Sequence, residues 1–73
     1  METIGDLIKA ELKRQERGVS WLANKLSCDR SNIYRILNKE SIDTNLLSRI
    51  SIILQHDFFK DLSNRIKSNI SQQ

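Results

Sequence analysis

The segment 19–38, VSWLANKLSCDRSNIYRILN, constrains the fold more than any other part of this chain. Apolar side chains recur in it at the spacing of two successive helices: Leu22, Ala23 and Leu26, then Ile33, Ile36 and Leu37. Only residues 27–29 separate the two patterns, and Asp29 is suited to cap the second helix. Because so few residues connect them, we predict two short helices, about 20–26 and 30–38, joined by a tight turn.

The first part of the chain predicts another helix before this pair. Thr3 and Asp6 have the spacing of a capping box, which begins a helix. An apolar stripe follows at Ile4, Leu7, Ile8 and Leu12. Gly18 is expected to end this helix, and Ser20 is expected to cap the next one.

Two further helices are predicted after the pair, with Asp43 and Asp57 as their caps. The chain has no Pro, only two Gly and no alternating pattern typical of strands. With 73 residues it is long enough for one small core. We therefore predict a five-helix, all-α fold, with one domain over residues 1–66 and a polar tail over 67–73 that frays from residue 68.

Positive charge is concentrated in one half of the sequence. Residues 1–39 contain eight Lys and Arg against five Asp and Glu, whereas residues 40–73 contain four of each. The net charge of +3 therefore belongs to the half that contains the predicted helix pair. A one-sided positive field attracts phosphate, although a solvated charged surface explains some of these residues equally well.

The chain resembles the phage-repressor (Cro-type, xenobiotic-response-element) family of helix-turn-helix DNA-binding domains over about residues 3–62. The family pattern Leu-Ala-x-x-Leu-Gly-Val-Ser-x-x-x-Ile is matched at Leu22-Ala23, Leu26 and Ile33. In the turn, Ser27-Cys28-Asp29 replaces Gly-Val-Ser. The change to Ser27 has a physical consequence, because Gly adopts the left-handed conformation at lower cost. The resemblance implies that the helix 30–38 enters the DNA major groove.

The family's base-contacting positions fall on Arg30, Ser31 and Arg35, and Asn32 between them can reach a base or a phosphate. An Arg side chain can donate two hydrogen bonds to guanine, so we expect Arg35 in particular to contact a base. Arg30 has an alternative role in an ion pair with Asp29 or Glu40. The whole polar face is also compatible with an ordinary surface helix.

Contacts to the DNA backbone are expected from six further residues: Ser20, Trp21, Lys25, Tyr34, Asn38 and Lys39. Ser20, Trp21 and Leu22 would supply free backbone N–H groups at a helix N-terminus, where anions bind. Trp21 has an alternative role in packing against the first helix.

These features predict a sequence-specific transcriptional regulator that binds double-stranded DNA as a homodimer. A palindromic operator would place two recognition helices about 34 Å apart. The predicted dimer surface is a stripe on the fifth helix: Phe59, Leu62, Ile66 and Ile70. Alternatively, Phe58, Phe59 and Leu62 close the monomer core while Ile66 and Ile70 stay loose. The alternative function is a protein-interaction module, such as an antitoxin or anti-repressor.

Other functional classes lack a sequence signal. One His and one Cys are too few for a structural zinc site, and no Gly-rich phosphate loop is present. We expect no catalytic residues, no metal, no cofactor and no small-molecule ligand. The lone Cys and the absence of a signal peptide or long apolar segment predict a cytoplasmic, nucleoid-associated protein with no membrane partner.

Overall fold

The computed structural model describes residues 2–71, and this part of the chain is helical without strands. The five helices are α1 (Ile4–Arg14), α2 (Val19–Lys25), α3 (Arg30–Leu37), α4 (Thr44–Leu54) and α5 (Phe58–Ser71). The all-α class and the number of helices predicted from the sequence are therefore confirmed. None of the helices in residues 2–71 combines the length and the apolar character needed to cross a membrane.

A single hydrophobic core collects side chains from all five helices. Its buried members are Ile4, Ile8, Leu12, Leu22, Ala23, Leu26, Ile33, Leu37, Leu47, Ile50, Leu54 and Phe58. The apolar stripes predicted for the first three helices supply eight of these residues, so the helical periodicity located that part of the core correctly. Burial of each large apolar side chain contributes about 1.5–3 kcal/mol, which chain entropy largely offsets.

Three of the helix starts predicted from the sequence are confirmed by hydrogen bonds. Thr3 and Asp6 form the capping box of α1, with each side chain accepting from the other residue's backbone N–H. Asp43 accepts from the N–H of Leu46 at 2.8 Å, which caps α4. Asp57 accepts from the N–H of Lys60 at 3.1 Å at the start of α5.

The ends of α1, α2 and α4 differ from the expectation that glycine terminates helices. Each ends in a left-handed residue that is not glycine: Glu16 (φ 58°), Ser27 (φ 56°) and Gln55 (φ 52°). The prediction that Gly18 ends α1 is wrong, because Gly18 has φ −94° and is the N-cap of α2. Ser20 consequently lies inside the first turn of α2 and does not cap it.

The turn between α2 and α3 is closed by backbone hydrogen bonds. The N–H of Cys28 donates to the carbonyl of Ala23 at 3.0 Å, and the N–H of Ser27 donates to that of Asn24 at 3.1 Å. This pair is the Schellman arrangement, which normally places Gly at the left-handed position. Ser27 adopts that conformation here, so the departure from Gly does not open the turn.

Two local predictions about side chains and chain ends are wrong. Asp29 occupies the N-cap position of α3, but its side chain makes no capping hydrogen bond. The segment expected to fray is helical as far as Ser71, because α5 continues its turns beyond residue 67. Residues 72 and 73 of the predicted tail lie outside the described residues.

Gly5 permits a close contact between α1 and α3. It is buried in α1, and a Cβ atom added there would overlap the backbone carbonyl of Leu37 at the end of α3. Glycine inside a helix costs about 1 kcal/mol relative to alanine. Gly5 therefore has a packing role, in which it lets the C-terminal turn of α3 lie directly against α1.

Candidate nucleic-acid interface

Helix α3 has one buried face and one exposed face. Ile33 and Leu37 are almost completely buried, whereas Arg30, Ser31 and Arg35 are exposed. The two guanidinium groups therefore lie on the outer side of the helix. Since the opposite side is fixed in the core, this outer side has a defined orientation relative to the rest of the domain.

Three of the four predicted base-contacting residues, Ser31, Asn32 and Arg35, lie together beside the turn that precedes α3. Nη2 of Arg35 donates a hydrogen bond to Oδ1 of Asn32, one helical turn earlier. Ser31, Asn32 and Arg35 line one shallow depression together with the turn residues 27–29. Asn32 thus holds the Arg35 side chain toward the turn while leaving other donors of the guanidinium unused by this hydrogen bond.

Arg30 lies outside this depression but is also exposed on α3. Within residues 2–71, its side chain forms no ion pair with a carboxylate. The alternative role in a salt bridge with Asp29 or Glu40 is therefore not observed. Arg30 and Arg35 both carry positive charge that no carboxylate of this part of the chain neutralises at short range.

Asp29 is a functional candidate that the sequence analysis missed, because we assigned it to capping. It is exposed, makes no capping hydrogen bond and lines the same depression as Arg35. A carboxylate in this position repels phosphate but can accept a hydrogen bond from the amino group of cytosine. The sequence placed Asp29 correctly at the N-cap position of α3. It did not show that the side chain makes no capping hydrogen bond, which the structure does.

A second polar group lies at the C-terminal end of α3. Tyr34 is 46% exposed, and Asn38 and Lys39 are exposed beyond it. Nζ of Lys9, from α1, is 3.5 Å from Oδ1 of Asn38. The sequence analysis missed Lys9, because this contact spans 29 residues and depends on the packing of α1 against α3. Lys9 thereby adds a cation beside the predicted backbone contacts.

The predicted backbone contacts on α2 do not all join this surface. Trp21 and Lys25 line a separate cleft with Arg17 and with residues 53–55 at the end of α4. The guanidinium carbon of Arg17 lies 4.5 Å from the centre of the Trp21 ring, and Nζ of Lys25 lies 5.7 Å from it. Trp21 is half-buried and packs against the hydrophobic core.

The phosphate site expected at the N-terminus of α2 loses two of its three predicted backbone donors. The N–H groups of Trp21 and Leu22 both donate to the carbonyl of Gly18, at 3.1 and 3.3 Å. They are therefore not free to bind an anion, because α2 begins one residue earlier than predicted. Ser20 remains an exposed side chain in the first turn.

Many of the acidic side chains make hydrogen bonds or ion pairs with other parts of the protein, whereas most Lys and Arg side chains have no carboxylate partner in residues 2–71. Asp6, Asp43 and Asp57 cap helices, and Glu11 and Asp61 contact His56. Among the Lys and Arg side chains of residues 2–71, only Arg14 pairs with a carboxylate. The positive charges are therefore left available for an external anion.

Glu11 is a buried carboxylate on the side of α1 that faces the start of α5. Nε of Arg14 donates to its two oxygens at 3.0 and 3.1 Å, and this guanidinium lowers the pKa of Glu11 to about 2 despite burial. Gln15 and His56 make smaller contributions to this lowered pKa. His56 Nε2 also lies 2.7 Å from Oδ2 of Asp61, so the network joins α1 to α5.

Comparisons with models of protein families, with curated proteins and with solved structures found no match to this chain. Within residues 2–71, no group of three or more His, Cys, Asp or Glu side chains is arranged to hold a metal ion.

Proposed function

We propose that this protein is a sequence-specific DNA-binding regulator of the phage-repressor-like helix-turn-helix type. In this proposal α2, the turn 26–29 and α3 form the helix-turn-helix, and α3 enters the major groove. Arg30, Ser31 and Arg35 contact base edges. Tyr34, Asn38 and Lys39 contact the sugar–phosphate backbone, and we now add Lys9 to this group.

The observation that carries the proposal is the position of Arg35. Its guanidinium is exposed on the outer face of α3, is held by Asn32 and is free of any carboxylate partner in residues 2–71. A pre-positioned guanidinium can donate two parallel hydrogen bonds to O6 and N7 of guanine. An Arg35 side chain turned into the core would have been incompatible with this function.

The rigid attachment of α3 also supports the proposal. Recognition of bases in a groove requires that the helix has a fixed orientation relative to the backbone contacts. The Schellman turn fixes the N-terminal end of α3, and the close contact at Gly5 fixes the C-terminal end. The two ends of the proposed recognition helix are thus held by different parts of the domain.

Substitution of Arg35 by alanine tests the proposal on a selected DNA site. We expect Arg35→Ala to weaken specific binding by about 1–3 kcal/mol and to relax the preference at one base position. Fluorescence anisotropy with the selected duplex and with single-base variants of it measures both effects. A salt series should also show a steep loss of wild-type affinity between low and moderate salt.

The matched control is Arg49→Ala, which removes an exposed arginine from α4. It should leave the base preference unchanged. If Arg35→Ala weakens binding equally on all sequences, Arg35 contacts phosphate and not a base. If wild-type protein does not bind duplex DNA at any salt concentration, the proposed function is wrong.

One observation favours the alternative, a protein-interaction module such as an antitoxin or anti-repressor. Large apolar side chains are exposed on α4 and α5, including Ile52, which is 76% exposed. An interaction module of this kind should use an apolar recognition face, however, and only Tyr34 is a large apolar residue exposed on α3. Binding to DNA that does not depend on salt, or no binding, would favour this alternative.

A further inference from the structure

Asp29 carries a carboxylate without a partner at the start of the proposed recognition helix. It occupies the N-cap position of α3, where an Asp side chain usually accepts a hydrogen bond from a backbone N–H of the first turn. Here the side chain makes no such bond, and it forms no ion pair with a Lys, Arg or His of residues 2–71. Because Asp29 is exposed, its carboxylate is available to a donor from outside the protein.

The Asp29 carboxylate shares a depression with the guanidinium of Arg35. Asp29, Asn32 and Arg35 all line this depression beside the turn. The guanidinium donates to Oδ1 of Asn32, an amide oxygen, and it forms no ion pair with Asp29 in the part of the chain that the structure describes. The depression therefore presents a group that donates hydrogen bonds and a group that accepts them to the same ligand.

The chemistry of a carboxylate limits the bases that it can contact. An ionised carboxylate accepts hydrogen bonds and donates none. In the major groove only cytosine and adenine present amino groups, and adenine also presents the acceptor N7 beside its amino group. Guanine and thymine present acceptors there, which repel a carboxylate. Cytosine is therefore the base that suits an Asp side chain.

We propose that Asp29 selects a cytosine, by accepting a hydrogen bond from its N4 amino group, in the same half-site as the guanine that Arg35 contacts. This inference rests on the proposed function, because it requires α3 to lie in the major groove. Arg35 requires an acceptor from the DNA, whereas Asp29 requires a donor. On any other sequence the negative charge of Asp29 meets no donor and weakens binding, so the residue acts by rejecting wrong sites.

Asp29→Ala should have opposite effects on specificity and on non-specific binding. We expect the preference for cytosine at one position of each half-site to fall about 5- to 20-fold, the loss of one hydrogen bond to a base. Affinity for unrelated duplexes should rise, since a negative charge facing phosphates is removed. A residue that only begins the helix would instead change binding to all sequences in the same direction.

Asp29→Asn changes the chemistry of the side chain and keeps a residue that begins helices as well as Asp does. The Asn amide has both a donor and an acceptor, which match N6 and N7 of adenine. We therefore expect the selected base to change from cytosine toward adenine. Asp57→Asn is the matched control, because Asp57 accepts a hydrogen bond at the start of α5, and it should leave the base preference unchanged. Thermal melts verify that each variant is folded.

A modified base tests the contact at the level of atoms. In N4-methylcytosine paired with guanine, a methyl group replaces the amino hydrogen that points into the major groove. This base is placed at the position where Asp29→Ala loses its preference, and binding is measured by fluorescence anisotropy. It should weaken binding by the wild-type protein about 5- to 20-fold and leave binding by Asp29→Ala unchanged.

Equal weakening of both proteins by N4-methylcytosine, or an unchanged base preference in Asp29→Ala and Asp29→Asn, would overturn this inference. Its failure is distinguishable from failure of the proposed function. If the wild-type protein enriches a DNA sequence and Asp29→Ala enriches the same one, only the role of Asp29 is contradicted. If the wild-type protein enriches no sequence, the proposed function is wrong and the role of Asp29 is wrong with it.

Discussion

Ser27 and Asp29 illustrate how far single residues can be interpreted from this sequence. Ser27 adopts the left-handed conformation that the position requires, with φ 56°, although it lacks the freedom of glycine. The two backbone hydrogen bonds of the turn and the burial of Leu26 stabilise that conformation. Asp29 takes the N-cap position as predicted, but its side chain lines the depression near Arg35. The places of Ser27 and Asp29 in the turn were thus easier to predict from the sequence than the contacts of the Asp29 side chain.

At the same scale, Glu11 makes a testable contribution to stability. Its pKa in the folded protein is about 2, below the usual value of 4.5. The stabilisation that the ionised Glu11 carboxylate gives to the folded protein is therefore complete above about pH 4.5 and is lost as the pH falls toward 2. We expect Glu11→Gln to reduce the free energy of unfolding at neutral pH by roughly 1–3 kcal/mol, because the charged hydrogen bonds to Arg14 are lost.

Thermal melts between pH 7 and pH 2 measure this effect. The wild-type Tm should fall more steeply below pH 4.5 than the Tm of Glu11→Gln. Glu16→Gln serves as a control, because Glu16 is exposed and forms no ion pair in residues 2–71. Identical pH profiles for wild type and Glu11→Gln would contradict the assigned role of Glu11.

At the level of elements, helix periodicity and capping residues predicted the helices well, whereas contacts between helices were not predictable. The capping box at Thr3 and the caps at Asp43 and Asp57 are local signals, since each acts within a few residues. The contacts of Gly5 with Leu37 and of Lys9 with Asn38 join residues about thirty positions apart. No local pattern encodes them, because they depend on how α1 crosses α3.

Gly5 gives the prediction that belongs to this scale. Gly5→Ala should destabilise the protein by about 2–3 kcal/mol, because its Cβ overlaps the Leu37 carbonyl and forces α1 and α3 apart. Replacement of Gly by Ala at an exposed position inside a helix would instead stabilise the protein by about 1 kcal/mol. Urea denaturation measures the difference. Gly18→Ser is the control, since nothing lies within 4 Å of a Cβ at that position, and it should change stability by only a few tenths of a kcal/mol.

A stable Gly5→Ala protein would show that α1 and α3 can separate at no cost, which would weaken the view that α3 is rigidly held. If Gly5→Ala is destabilised as expected, its DNA affinity at low temperature, where it remains folded, should also be reduced. That reduction would follow from a displaced α3, because Gly5 itself is buried and cannot reach DNA.

For the whole molecule, the sequence predicted which surface of α3 is exposed but not the complete composition of the site. Arg30, Ser31 and Arg35 lie where the periodicity put them, opposite the buried Ile33 and Leu37. Trp21 and Lys25 lie in a different cleft, and Lys9 enters from another helix. A helical wheel orders residues around one helix. It contains no information about the surface that several helices form together.

Selection of bound duplexes from random-sequence DNA, with wild type and Arg35→Ala in parallel, is the decisive experiment for the role of α3. We expect a palindromic or pseudo-palindromic wild-type consensus whose half-sites are about one helical turn apart. Arg35→Ala should lose the preference at one position in each half-site. Failure of the wild-type protein to enrich any sequence, or an identical consensus for both proteins, would contradict the proposed contact between Arg35 and a base.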